Sequence, residues 1–448
     1  MSLAAFILSC SDHEDYTIRK LDGENAGGET TVYASTSQAF GLPAPNLSAE
    51  HLDKHLLGDV GFEAQFVASP AQKNGGLGPV FNNISCNGCH PSDGRASFPE
   101  NINALSGFFY KISLPGNDEH GGPAPVPGFG TQLQHQSIYG FQAEGKMSVT
   151  FQEQTVSLAG GITVTLQKPV YSIVSPYLPL PGNVMISPRI GMPVFGLGLL
   201  EAIPEAAILA NADPNDRDKD EISGKANYVW DPVSETTQLG RFGWKAGTPS
   251  VLVQTAGAFN EDMGLTNFLK PVESSFNQTN SDPTSVSPEV SRELLENVVF
   301  YSLTLGVPAG RNFDDPNVIA GQKIFEQLKC ATCHFPSFRT GIYDGIPEIS
   351  NQIIYPYTDM LLHDMGDDLS DNRPEFLANG REWKTRPLWG IGLTAVTSGH
   401  TSFLHDGRAR NITEAILWHG GEAEKSRDDF KKLSIKDREM LLLFIQSL

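Results

Sequence analysis

Basic residues are scarce in this chain. Its 448 residues hold 32 Lys and Arg against 52 Asp and Glu, a net charge of −20. A surface of that sign repels nucleic acid and anionic membranes, and it favours a basic or small neutral partner. Long apolar runs are missing too, for no stretch reaches the roughly 18 residues that a membrane-spanning helix needs. Cysteine occurs only five times, yet four of the five fall into two copies of one short pattern. Plentiful instead are Gly, with 44, and Pro, with 30, which point to a loop-rich fold. The length allows two or three domains with buried cores.

The repeated pattern is Cys-x-x-Cys-His, at Cys86-Asn-Gly-Cys-His90 and again at Cys330-Ala-Thr-Cys-His334. Two thiols three positions apart can add across the two vinyl groups of one haem, and the histidine that follows is then held under the iron. The same spacing also serves zinc and thiol redox sites. Zinc wants four ligands brought together, whereas these copies lie far apart and each ends in its own His. The expected cofactors are therefore two covalently attached haem c groups. One uses Cys86, Cys89 and His90, the other Cys330, Cys333 and His334.

The fifth cysteine, Cys10, follows the short apolar run Leu3-Ala-Ala-Phe-Ile-Leu-Ser9. That stretch resembles the tail of a bacterial lipoprotein signal with Cys10 as the lipid-bearing residue; an incidental cysteine in a disordered N-terminus is the alternative. Covalent haem attachment belongs on the export side of a membrane. The expected location is the periplasm, or the outer membrane through a lipid on Cys10. Residues 1–45 read as a signal remnant and a flexible tether.

An N-terminal haem domain is expected over 46–285, with Ser48 capping its first helix. His51 and His55, at i and i+4, have metal-ligand spacing but equally suit a solvated helix face. From about 108 to 187 the character becomes β-rich. Residues 147–158 and 162–167 alternate apolar and polar around Ala159-Gly-Gly161, a hairpin signal. His120 and His135 read as loop histidines. The stretch 213–224 puts oxygen side chains at 216, 218, 220 and 223, like a calcium loop, but lacks its glycine at the sixth position and its glutamate at the twelfth. Calcium and a solvated acidic turn both stand. A C-terminal cytochrome c-like haem domain is expected over 286–448, with helices at 289–305, 317–328 and 435–448. The fold class expected is mainly α: two cytochrome c-like haem domains with a β-rich insertion after the first haem motif.

Three further stretches carry a resemblance. Tyr357-Thr-Asp-Met-Leu-Leu-His-Asp-Met-Gly366, Glu382-Trp-Lys-Thr-Arg-Pro-Leu-Trp-Gly-Ile-Gly392 and Phe403-Leu-His-Asp-Gly-Arg-Ala409 are similar to the di-haem oxidoreductases named as peroxidases or thiol oxidoreductases, relatives of the bacterial di-haem cytochrome c peroxidases. The likeness covers roughly residues 50–448. It implies a sixth ligand for the second haem fourteen residues after His405, at His419, where the peroxidases carry Met. Ile412, Ile416 and His419 also share one helix face. A bis-His haem has a lower potential than a His/Met one, so it is a poorer store for an activating electron. The likeness further implies Trp244 as an electron relay between the haems, Gln254 as the residue orienting substrate, and Asp262 as the acid over the first haem, moving a proton between the peroxide oxygens. Glu261 is the rival acid. No His lies between His90 and His120, so the first haem is expected to be open or water-bound, with Met192 and Met263 as candidate occupants. The implied activity is peroxide reduction, or peroxide-driven oxidation of a partner, fed by a small electron-donor protein. A di-haem electron carrier without peroxidase activity is the alternative, and a thiol oxidoreductase fails if the cysteines are thioether-linked.

Overall fold

Glycine and proline interrupt this chain so often that its helices stay short. The computed structural model describes residues 22–275, 277–281 and 288–448. Helix makes up 29% and strand 20%, in several small sheets, so the chain is a mixed α and β protein and not mainly α as expected. The helices expected at 289–305, 317–328 and 435–448 form, but much of the chain between the helices is short strand and irregular backbone, and the motifs themselves, Cys86–Cys89 and Cys330–Cys333, are single turns. The expectation also undercounted the strands, which reach well beyond the two runs read as a hairpin.

Helix α1 (Ala49–Glu63) starts at Ser48, whose Oγ accepts from the His51 N–H at 3.2 Å, as a helix N-cap should. The β-rich stretch follows the first motif as β1 (Phe108–Asn117), β2 (Lys146–Leu158), β3 (Ile162–Val174) and β4 (Met185–Ile190). β1 pairs antiparallel with β4 and, on its other side, with the short strand Pro123–Ala124. β2 and β3 form one long hairpin, in register from Lys146↔Val174 to Leu158↔Ile162. It turns at Gly160 and Gly161, with φ of 85° and 73°, a region that side chains with a Cβ avoid. The tip is tied to the far end of the chain. Ala159 N–H donates to Lys431 O at 2.8 Å, and Arg438 donates to Ala159 O at 2.8 Å.

Further helices are α2 (Val251–Met263), α3 (Arg292–Thr304), α4 (Pro316–Gln327), α5 (Ile412–Trp418) and, after the helix Glu424–Lys432, α6 (Ile435–Ser447). Two crossings among them repeat one design. α1 lies on α3 so closely that a Cβ on Gly58 would stand 2.1 Å from Asn297 O. α4 lies on α6 the same way, with a Cβ on Gly321 falling 2.0 Å from Met440 O. Four residues beyond each glycine is a phenylalanine. Phe62 packs 5.2 Å from Tyr301 and 6.3 Å from His90; Phe325 packs 5.3 Å from Phe444 and 6.3 Å from His334. Each motif histidine thus sits under a pair of crossed helices. α3 packs on α1 although it lies past the expected boundary at 285/286.

Cys10, with residues 1–21, lies outside the described residues. Residues 22–45 are packed rather than loose: Thr31–Val32 pairs in parallel with Val307–Pro308, and Ala39 and Phe40 are buried. Among the described residues, no helix is long and apolar enough to cross a membrane.

Candidate functional site

Both motifs fold into the same local shape. His90 N–H donates to Cys86 O, and His334 N–H to Cys330 O, each at 2.9 Å. Each turn thereby gathers two thiols and an imidazole. All four of these cysteines are free, and burial pushes the Cys86 and Cys330 thiols up to about 12. His90 Nδ1–H donates to Met192 O at 2.6 Å, and His334 Nδ1–H to Tyr357 O at 3.0 Å. A carbonyl can only accept, so the proton is on Nδ1 in both rings and Nε2 keeps the lone pair that a metal needs.

His419 adopts the same tautomer for the same reason, its Nδ1–H donating to Ala415 O at 2.6 Å. It ends α5 in an extended conformation. Asn411 Oδ1 caps that helix by accepting from Glu414 N–H at 2.9 Å, but the Glu414 carboxylate turns to Arg410. Gly420 is extended, and Gly421 takes the left-handed turn instead. Ile412, Ile416 and His419 face one cavity together with Cys330, Cys333 and His334. Burial, and next the nearness of His419, pull His334 down to about 4, so both rings are neutral at pH 7. The arrangement can hold a flat group on two thiols between two imidazoles.

Trp244 is buried and lines the same cavity. Its Nε1–H donates to Ile190 O at 3.0 Å. Ile190 lies two residues before Met192, whose carbonyl holds His90. One short segment therefore joins the wall of the second cavity to the imidazole of the first motif. Met192 meets His90 through this carbonyl, at the ring's Nδ1 edge, and Met263 is buried in the main apolar core. Gln254 Oε1 accepts from Thr248 Oγ1 at 2.8 Å near the start of α2. Asp262 lies at the other end of that helix, about 12 Å further on at 1.5 Å per residue.

Asp262 and Glu261 are adjacent but differently placed. Glu261 is ion-paired to Lys111 and lies 3.8 Å from Lys270. Burial works against its charge, but Lys111 and Lys270 outweigh it and hold the carboxyl down at about 2. At Asp262 burial prevails over Lys111 and raises the carboxyl to about 6. Gln132 Nε2 donates to its Oδ1 at 2.6 Å, and the charge of Asp262 reaches both Cys86 and Cys89. The backbone N–H groups of Asn82 and Asn83 donate to Asp262 O, fixing the end of α2 against the approach to the first motif. Asn82 Nδ2 in turn donates to Leu133 O and to His135 Nδ1, each at 2.8 Å, so His135 is a loop histidine as expected, but a buried one and a member of this network.

Gln132 and Asn82 carry no motif and escaped the reading of the sequence, and His135 was read without a role. His363 stood inside a quoted motif without a role. It is buried, with Nε2 2.7 Å from Asp359 and Nδ1 2.6 Å from Glu422, so both ring nitrogens are donors and the ring is cationic. Its Nδ1 is also 3.5 Å from Cys333 Sγ, which puts a fixed positive charge at the second motif. His51 and His55 do not come together as ligands. His51 bonds Glu348, and His55 is buried against Thr304. The carboxylates of Asp216, Asp218 and Asp220 converge within 4.8 Å, but Ser223 is turned to Glu422, and Lys329 lies 3.4 Å from Asp220.

No curated protein and no solved structure matches this chain. A family model described as "Di-haem oxidoreductase, putative peroxidase" matches residues 20–448. With two Cys-x-x-Cys-His turns of one geometry inside that span, the chain belongs to this di-haem oxidoreductase family.

Proposed function

We propose that this di-haem oxidoreductase is a peroxidase-like enzyme whose haems are both of the covalent c type. The thiols of Cys86 and Cys89 carry one and those of Cys330 and Cys333 the other. His90 would hold the iron at the Cys86 motif, and His334 and His419 together the iron at the Cys330 motif. The residues fit such groups: four free thiols in pairs, and three half-buried imidazoles that each present Nε2. Bound haem supplies the one-electron chemistry that peroxide reduction needs. Asp262 takes the proton from one oxygen of hydrogen peroxide and returns it to the other. Trp244, hydrogen-bonded to the segment that holds His90, bridges the two sites for electrons. Gln254, bonded to Thr248, steadies the turn that carries Trp244.

The contrast between Asp262 and Glu261 carries the reading. A pure electron carrier has no use for a carboxyl held near 6 beside its first motif. Covalent haem attachment supports an exported, periplasmic enzyme that draws electrons from a small donor protein. The ferric holoprotein should give one high-spin and one low-spin haem, and hydrogen peroxide should perturb the high-spin signal. Two low-spin haems, unmoved by peroxide, would instead mean an electron-transfer protein without peroxidase activity.

A further inference from the structure

Four buried cations in this chain are matched by carboxylates. Arg189 and Lys245 share Asp371, Arg373 pairs with Glu375, and Arg408 pairs with Asp406. Three cations on the wall of the cavity at the second motif lack such a partner: the buried Arg95 and Lys384 and the half-buried Arg386. Among the described residues, no carboxylate lies within salt-bridge distance of any of them. Arg95 Nη1 donates to Leu404 O at 3.2 Å, and Lys384 Nζ to Arg241 O at 2.6 Å, so their hydrogen bonds go to backbone carbonyls, and Asp359 acts on Lys384 only from beyond salt-bridge distance. The buried Nε of Arg386 has no hydrogen-bond partner at all.

Three like charges gathered in a low-dielectric wall oppose one another and cost free energy until an anion joins them. Their titration agrees. Burial and then Arg95 bring Arg386 down to about 9, while burial and then Arg386 take Lys384 well below its ordinary value. The two guanidinium groups also flank Trp244, their carbons 5.6 and 5.4 Å from its ring centre. A haem bears two propionate carboxylates on the edge away from its vinyl groups. That edge would lie across the cavity from the Cys330 and Cys333 thiols.

We propose that Arg95 and Arg386, with Lys384 beside them, form the seat for the propionate carboxylates of the haem carried by the Cys330 motif. This rests on the reading that a covalent haem occupies this cavity. In that seat the arginines do two things. They fix the plane of the ring against Trp244, and they hold positive charge near it, which favours the reduced state and raises the potential.

The test is a redox titration of the holoprotein, wild type against Arg386→Leu and Arg386→Lys, with the haem count taken from the intact mass. Two haems in the wild-type mass secure the underlying reading; fewer would sink that reading, and the seat with it. The expected result is a lower midpoint potential for the low-spin haem in Arg386→Leu, largely restored in Arg386→Lys. In the leucine variant that potential should also vary with pH between about 5 and 8, because an unpaired buried propionate then titrates in that range. A midpoint and pH profile like the wild type, with both haems attached, would overturn the proposal, as would a shift confined to the high-spin haem. If Arg386→Leu fails to mature, Arg95→Gln serves the same purpose, with the same outcome expected and the same outcome overturning it.

Discussion

A group that passes a proton between two oxygens must hold and release it near the working pH, and Asp262 and Glu261 differ in that capacity. Lys111 and Lys270 keep Glu261 ionised at any neutral pH, so it has no proton to lend. Asp262, raised by burial to about 6, can do both. The base form is needed to take the first proton, so peroxide turnover should rise with pH and reach half its plateau near pH 6. Asp262→Asn should cut turnover by about 10²–10⁴ and flatten that profile, with both haem spectra intact. Glu261→Gln should have a much smaller effect. Equal losses in the two variants would mean that the carboxyl acts only through the fold. At this scale the two Cys-x-x-Cys-His turns were legible, because each is settled within five residues. The partners of Asp262 were not. Gln132 reaches it from 130 positions away, and nothing about a glutamine in a strand-rich stretch marks it as a carboxylate's donor.

Among the elements, the paired crossings give the clearest constraint. Gly58 and Gly321 have ordinary helical backbones, so their glycine character answers to space alone: an added Cβ would meet a backbone oxygen at 2.1 or 2.0 Å. A backbone oxygen cannot rotate aside as a side chain would, so the helices must part. Gly58→Ala and Gly321→Ala should each cost about 1–3 kcal/mol of stability by overpacking. The damage should be selective. Gly58→Ala should disturb the spectrum of the haem over His90 and Gly321→Ala that of the haem over His334, since Phe62 and Phe325 move with those helices. Indistinguishable spectra in both variants would show the crossings to be independent of the haem sites. The repeat Gly-x-x-x-Phe stands in the sequence at both places, but two occurrences so far apart are invisible without the packing that explains them. The caps and the hairpin turn were legible for the opposite reason, each being settled within a few residues. The mainly α expectation failed because much of the chain between the helices is short strand and irregular backbone, and strand pairing depends on partners distant in sequence.

The whole molecule carries −20, and that charge bears on how electrons reach it. Close to His419 five acids, Asp364, Asp367, Asp368, Glu422 and Glu424, line one open hollow with Gly420 and Gly421; Arg381 and Arg427 oppose them there, while Lys168 pairs with Asp368 and His363 with Glu422 from behind. Gly420 follows His419 directly, so a donor resting in this hollow would stand a few bonds from the proposed axial ligand of the second haem. A basic donor protein would be drawn to the hollow by the local charge and to the molecule by the net charge. An acidic donor would be repelled by both. Such attraction acts mainly on association, and salt screens it over about 10 Å at 0.1 M ionic strength. With a basic cytochrome as donor, kcat/KM should therefore fall steadily as sodium chloride rises from 10 to 500 mM, while kcat changes little. With an acidic cytochrome the slope should reverse. Asp367→Lys with Asp368→Lys should weaken the dependence on the basic donor without altering either haem spectrum, since both side chains reach the surface. If the double variant keeps the full salt dependence, delivery is steered by the net charge alone and the hollow is not where the donor sits. If neither donor responds to salt, association is not limiting, and the acidic surface has some use other than electron delivery.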